Sequence, residues 1–110
     1  MHKYHLKITE YAEQDLEEIG DYIAFELKNS AAAIRLVRDL RKRMNSLTHM
    51  PEQHELDEDS TLASYEVRKY YYKNYKIYYT IYQPMDSVVV LRILHMRVDS
   101  RSKVYRVFGI

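Results

Sequence analysis

Hydrophobic periodicity changes once along this chain, and that change does most to limit what it can fold into. Up to about residue 50 the apolar side chains recur at helical spacing; from about residue 64 they alternate. In the first part Ala12, Leu16, Ile19, Ile23 and Leu27 trace one stripe, and Glu10, Glu13, Gln14, Glu17, Glu18 and Asp21 fall outside it. Thr9 is placed to cap this helix, with Glu10 and Glu13 in a first turn whose dipole favours carboxylates. The helix is expected to run to Lys28 and break at Asn29-Ser30. A second helix then carries Ala33, Leu36, Val37, Leu40, Met44 and Leu47 on its apolar stripe and ends before Pro51. Its outer face holds Arg35, Arg38, Arg41, Lys42 and Arg43, so an antiparallel hairpin of the two helices sets an acidic surface beside a basic one. Residues 51–60, with five acids and no apolar stripe, read as a solvated loop.

Period-two patterning marks four strands: residues 3–8, 65–72, 75–82 and 88–96. Lys73-Asn74 and residues 83–87 supply turns, so the last three form an antiparallel meander. In the second meander strand Tyr75, Ile77, Tyr79 and Ile81 share a face. In the third, Val89, Leu91, Ile93, His95 and Arg97 are expected on one face and Val88, Val90, Arg92 and Leu94 on the other. Apolar residues on both sides make this strand central. The order strand, helix, helix, three strands gives one α+β domain over residues 1–110, with the helical hairpin on one sheet face and the other face open.

Composition removes whole classes of chemistry. The chain has no cysteine, which excludes disulfide frameworks, thiolate nucleophiles and zinc-thiolate sites, and it has no apolar run long enough to span a membrane. A cytoplasmic protein with no membrane association is expected. His2, His5, His49 and His54 have no acid or cysteine to complete a ligand set, so no metal and no cofactor is expected. Net charge is +1, but residues 1–60 hold 8 basic against 13 acidic residues and residues 61–110 hold 9 against 3. The basic part also holds nine of the twelve tyrosines. Cations with aromatic faces suit phosphates and bases, although tyrosine is also a good strand residue.

The run from Ile8 to Ile19 continuing to Tyr22-Ile23, the helix exit from Leu47 to Pro51, and the strands Tyr75-Lys76-Ile77-Tyr78-Tyr79 and Val90-Leu91-Arg92-Ile93-Leu94-His95-Met96-Arg97 together resemble the RelE/ParE superfamily of type II toxin-antitoxin toxins. The resemblance implies a small toxin with a cognate antitoxin as partner. It also implies one of two activities: ribosome-dependent mRNA cleavage, as in RelE-like members, or inhibition of DNA gyrase without catalysis, as in ParE-like members. A non-toxic stabilisation module acting only through its antitoxin is a third reading. By segment, the ribonuclease pattern falls on Arg68, Lys76, Arg97 and Tyr105.

Metal-free RNA cleavage needs a group that takes a proton from a ribose hydroxyl, cations on the phosphate, and a proton for the leaving oxygen. His95 is the candidate acid or base. Arg68 and Arg97 would neutralise the phosphate, and Tyr105 would stack on a base or share in proton transfer if nearby cations depress its pKa. Lys76, Arg101 and Lys103 would hold the RNA backbone. Each has a structural alternative: a histidine bonded at a sheet edge, arginines paired with Glu66 or Asp99, a strand lysine that blocks edge pairing, or a tail anchored by Tyr105 and Phe108. On this reading mRNA cleavage on the ribosome leads and gyrase inhibition follows.

Overall fold

A computed structural model describes residues 3–110. Strand β1 (His5–Ile8) leads into helix α1 (Glu10–Asp21), whose N-cap is Thr9: its hydroxyl accepts from the Ala12 N–H at 3.1 Å and donates to the Leu91 carbonyl at 2.8 Å. One threonine therefore starts the helix and ties it to the sheet. The helix does not continue as α to Lys28. It widens into a π-helical turn (Tyr22–Glu26), closed by Leu27 N–H on the Tyr22 carbonyl, and Lys28 reverses the chain at φ 53°. Helix α2 (Ser30–Ser46) then starts on an Asn29 cap. The expected acid-base pairing across the hairpin is present as a fork between Arg41 and Glu13, at 2.7 and 3.3 Å. Both side chains are about half exposed, so the pair contributes about 0.2–1 kcal/mol.

The segment 51–60 is more ordered than a solvated loop. Pro51 and Asp57 are buried, a 3-10 turn spans Pro51–Gln53, and Leu56 bridges to Arg68. Residues 65–67 do not extend the first meander strand. A short helix α3 (Ser60–Ser64) on an Asp59 cap precedes them, and β2 begins only at Arg68 (Arg68–Tyr72). Asp59 and Ser60 carry a start signal that the acidic composition hides.

Strands β3 (Tyr75–Tyr82) and β4 (Ser87–His95) complete a sheet of order β1-β4-β3-β2. The meander is antiparallel, and β1 adds to β4 in parallel. As expected, β4 is central, but its alternation is broken. Tyr78 pairs with Arg92 and Tyr79 with Val90, leaving Leu91 as the extra residue of a bulge. The bulge corrects the facing read from strict alternation. Val88, Val90 and Ile93 join Ile77, Tyr79, Ala12, Leu16, Leu40, Met44 and Leu47 in the core under the helices, while Val89, Leu91 and Leu94 face the other side.

That other face is not open. Helix α4 (Arg101–Val107) and α3 lie over it, and Leu62, Val67, Tyr78, Leu91, Leu94 and Val104 form a second, smaller core. The C-terminal segment packs on this face: Val104 is fully buried and Phe108 stacks on Tyr65 at 4.5 Å. The two cores are joined by one buried ion pair. Asp15 of α1, 4% exposed, accepts from Arg92 Nε (2.8 Å), Arg92 Nη2 (2.7 Å) and Ile93 N–H (3.0 Å), and Arg92 Nη1 reaches the Lys103 carbonyl of α4 (3.0 Å).

Candidate functional site

The polar side chains singled out in the sequence fall into three places. Arg68, at the start of β2, pairs in register with Tyr79 and donates through Nη1 to the carbonyls of Glu52 (3.2 Å) and His54 (2.6 Å). Its guanidinium holds the 51–57 segment against the sheet. Packed in the same place, His54 lies 4.5 Å from the Tyr70 ring, and burial together with the Arg68 charge holds its pKa below the usual histidine value.

His95, Arg97 and Lys103 line one cleft, of about 620 Å³, between the hairpin tip and the end of β4. His95 does not share a strand face with Arg97, because β4 ends at His95 and the chain turns. Instead the Arg97 N–H donates to His95 Nδ1 at 3.1 Å, so the neutral ring carries its proton on Nε2. His95 pairs in register with Tyr75 and meets that ring edge-on at 5.5 Å.

Lys76 and Arg101 line a second groove on the opposite face, with Lys69, Tyr71, Tyr78 and the acids Asp57, Glu58, Asp59 and Asp99. Its cations are engaged. Lys69 lies 3.4 Å from Asp57 and 3.5 Å from Glu58, Arg101 lies 3.2 Å from Asp59, and Lys76 donates to the Val98 carbonyl at 3.0 Å. Burial and the neighbouring Lys69 lower the Lys76 pKa. Tyr105 donates its hydroxyl to Asp59 Oδ2 at 2.7 Å, and that bond raises its pKa, the reverse of the depressed value a proton-transfer role calls for.

The sheet therefore separates the expected catalytic set. His95 and Arg97 stand in one cleft, Arg68 in a loop clamp, and Tyr105 on the far side among the residues packed on the second core. Sequence reasoning missed Asp15, Arg92 and Lys69. For Asp15 there was a signal: an acid three residues after Ala12 and four before Ile19 falls on the buried side of α1 and requires a partner. Among the described residues no cluster of histidine and carboxylate side chains is arranged to hold a metal ion, and no helix is long and apolar enough to cross a membrane. His2 lies outside the described residues.

A helical hairpin laid on this four-stranded sheet is the RelE/ParE fold. A chain from the chromosomal ParDE toxin-antitoxin system of Pseudomonas aeruginosa superposes with a TM-score of 0.71 at 21% identity, over 88% of this chain and 100% of that one. A chain of the RelBE2 toxin-antitoxin complex of Mycobacterium tuberculosis gives 0.66 at 20% identity, over 86% and 93%. An E. coli RelE toxin mutant with two arginines replaced by alanine, in the free state, gives 0.60 at 17% identity, over 94% and 92%. No curated protein matches the sequence significantly. The model of the ParE toxin of type II toxin-antitoxin systems matches residues 6–100, and the chain belongs to that family.

Proposed function

We propose that this toxin acts by binding a protein, as a DNA gyrase inhibitor without catalysis of its own, and that an antitoxin neutralises it. The observation that carries this reading is the dispersal of the cleavage set: the Tyr105 hydroxyl is given to Asp59, Arg68 to two backbone carbonyls, and His95 lies across the sheet from Tyr105. A metal-free ribonuclease needs its proton donor, proton acceptor and phosphate cations within hydrogen-bond reach of one phosphate. The family match is a second support. The antitoxin is inferred from the family and from the structural relatives that come from toxin-antitoxin systems.

Ribosome-dependent mRNA cleavage keeps one supporting feature, the outer groove, where Lys69, Lys76 and Arg101 stand beside Tyr71 and Tyr78. Four acids line the same groove, which opposes a polyanion there. The deciding experiment runs a gyrase supercoiling assay and a cell-free translation reaction on one preparation, with mRNA ends mapped by primer extension. The expected result is blocked supercoiling with intact mRNA. New mRNA ends inside ribosome-bound codons, abolished by Lys76→Ala or Tyr105→Phe, would overturn the proposal in favour of cleavage.

A further inference from the structure

Helices α1 and α2 leave a groove of about 740 Å³ between them, to which no strand contributes. Its middle is apolar: Gly20 and Ala24 leave the α1 wall without bulk, and Ile34, 66% exposed, stands on the α2 wall beside Val37. Its edges are charged with opposite sign. Asp21 lies on the α1 edge, with Glu17 one turn before it in the adjoining hollow, and Arg38 and Lys42, one turn apart, lie on the α2 edge. Arg41, between them, is already held by Glu13. Among the described residues Glu17, Asp21, Arg38 and Lys42 take part in no ion pair within the chain. The one acid of α2, Asp39, belongs to another stripe, one turn from Arg35 and from Arg43.

This arrangement selects its occupant. An acidic segment meets Glu17 and Asp21, a basic one meets Arg38 and Lys42, and a nucleic-acid strand is repelled along the whole α1 edge. The complement is a surface with one acidic and one basic ridge at the spacing of two packed helices and apolar groups between them, and the hairpin itself is such a surface. We propose that two copies of this chain associate hairpin to hairpin through this groove, about a two-fold axis. The signs of the ridges fix the direction of that axis. An axis across the hairpin lays α1 on α1, acid on acid. An axis along the hairpin lays α1 of each copy on α2 of the other and satisfies both ridges of both copies. Glu13 stands level with Arg41, and Gly20 with Val37, where an added methyl group would lie 3.3 Å away. At those heights Glu17 and Asp21 fall within about one turn of Arg38 and Lys42 of the second copy, and Ile34 falls over its Ala24. Exposed ion pairs add little affinity, so the ridges set the orientation and the apolar middle supplies the attraction. Helix α2 has 17 residues, about 25 Å, and two helices side by side span about 20 Å, so the face covers about 500 Å² per copy. That is at the lower end of specific interfaces, and a dissociation constant in the micromolar range is expected.

The test is sedimentation equilibrium of the full chain from low to high micromolar concentration, where a monomer–dimer equilibrium is expected. Glu17→Lys with Asp21→Lys, or Arg38→Glu with Lys42→Glu, makes the two ridges alike, and each pair should weaken dimerisation about tenfold. All four substitutions together exchange the ridges without changing the net charge and should restore dimerisation to near its starting strength. Ile34→Asp should also weaken it about tenfold, and Arg106→Glu, exposed on α4, should leave it unchanged. Far-UV circular dichroism checks that each variant is folded. Amide shifts of the unmutated protein give a second readout and should depend on concentration at Gly20, Ala24 and Ile34. A monomer at every concentration, dimerisation indifferent to the paired reversals, no recovery in the quadruple variant, or shifts confined to β2 or to the cleft beside His95 would each overturn the proposal. Neither gyrase nor ribosomes enter the measurement, so its outcome is independent of which toxic activity the chain has.

Discussion

Replacing Asp15 by alanine removes the acceptor for three hydrogen bonds at once and leaves the Arg92 guanidinium, in a residue 8% exposed, with only the Lys103 carbonyl. Breaking a buried pair from one side costs about 3–5 kcal/mol, because the surviving charge stays desolvated. A domain of this size has about 5–15 kcal/mol of stability in all, so the variant should be marginal. With a urea m-value of about 1–3 kcal/mol/M, the midpoint should fall by roughly 2 M in a denaturation followed by far-UV circular dichroism. The control separates pair from site. Asp15→Leu combined with Arg92→Met removes both charges and should recover to within about 1–2 kcal/mol of the parent, since apolar replacements of buried pairs are often neutral. A loss below about 1 kcal/mol for the single variant, or a double variant as unstable as the single one, would refute the view that this pair joins the two cores.

Two further outcomes follow from the same contacts. Thr9→Ala removes the α1 cap and the bond to the Leu91 carbonyl, and should cost about 1–2 kcal/mol, read from the urea midpoint; Thr9→Ser, which keeps the oxygen, should recover most of it. His54 has a folded-state pKa below its unfolded value, so its neutral form belongs to the native state. Between those two values the unfolded chain binds more protons, so stability is complete above about pH 6.5 and falls as the pH drops through that value toward the lowered one. His54→Phe should remove that part of the pH dependence in melts run from neutral to mildly acidic buffer.

Helices α1 and α2, three of the turns and the central position of β4 were legible because period and capping are local signals: Thr9, Asn29 and Pro51 mark boundaries by their own chemistry. The bulge at Leu91 was not legible. Both faces of β4 are apolar, so a one-residue slip changes nothing in the pattern, and only pairing with Tyr78 and Tyr79 reveals it. That single residue moves Ile93 and the residues after it relative to Val89 and Leu91, while the face expected for His95 with Arg97 is lost because β4 ends at His95. Helix α4 was hidden for another reason. Arg101 and Lys103 read as contacts to an RNA backbone and Tyr105 with Phe108 as an anchor without a helix, whereas Val104, Tyr105 and Phe108 lie at the spacing that packs one side of a helix turn onto the sheet.

The parallel pairing of β1 with β4 sets the order in which the molecule can be completed during synthesis. Ile8 finds its partner at Val90, so about eighty further residues must leave the ribosome before the first strand has anything to bind. Until then the hairpin of α1 and α2 carries an apolar face with no sheet beneath it, and contacts so distant in sequence form slowly. A nascent chain stopped short of β4 has neither core. The fold is therefore closed by its most distant pairing: a chain interrupted before β4 has no sheet on which the hairpin can pack, and so no folded domain.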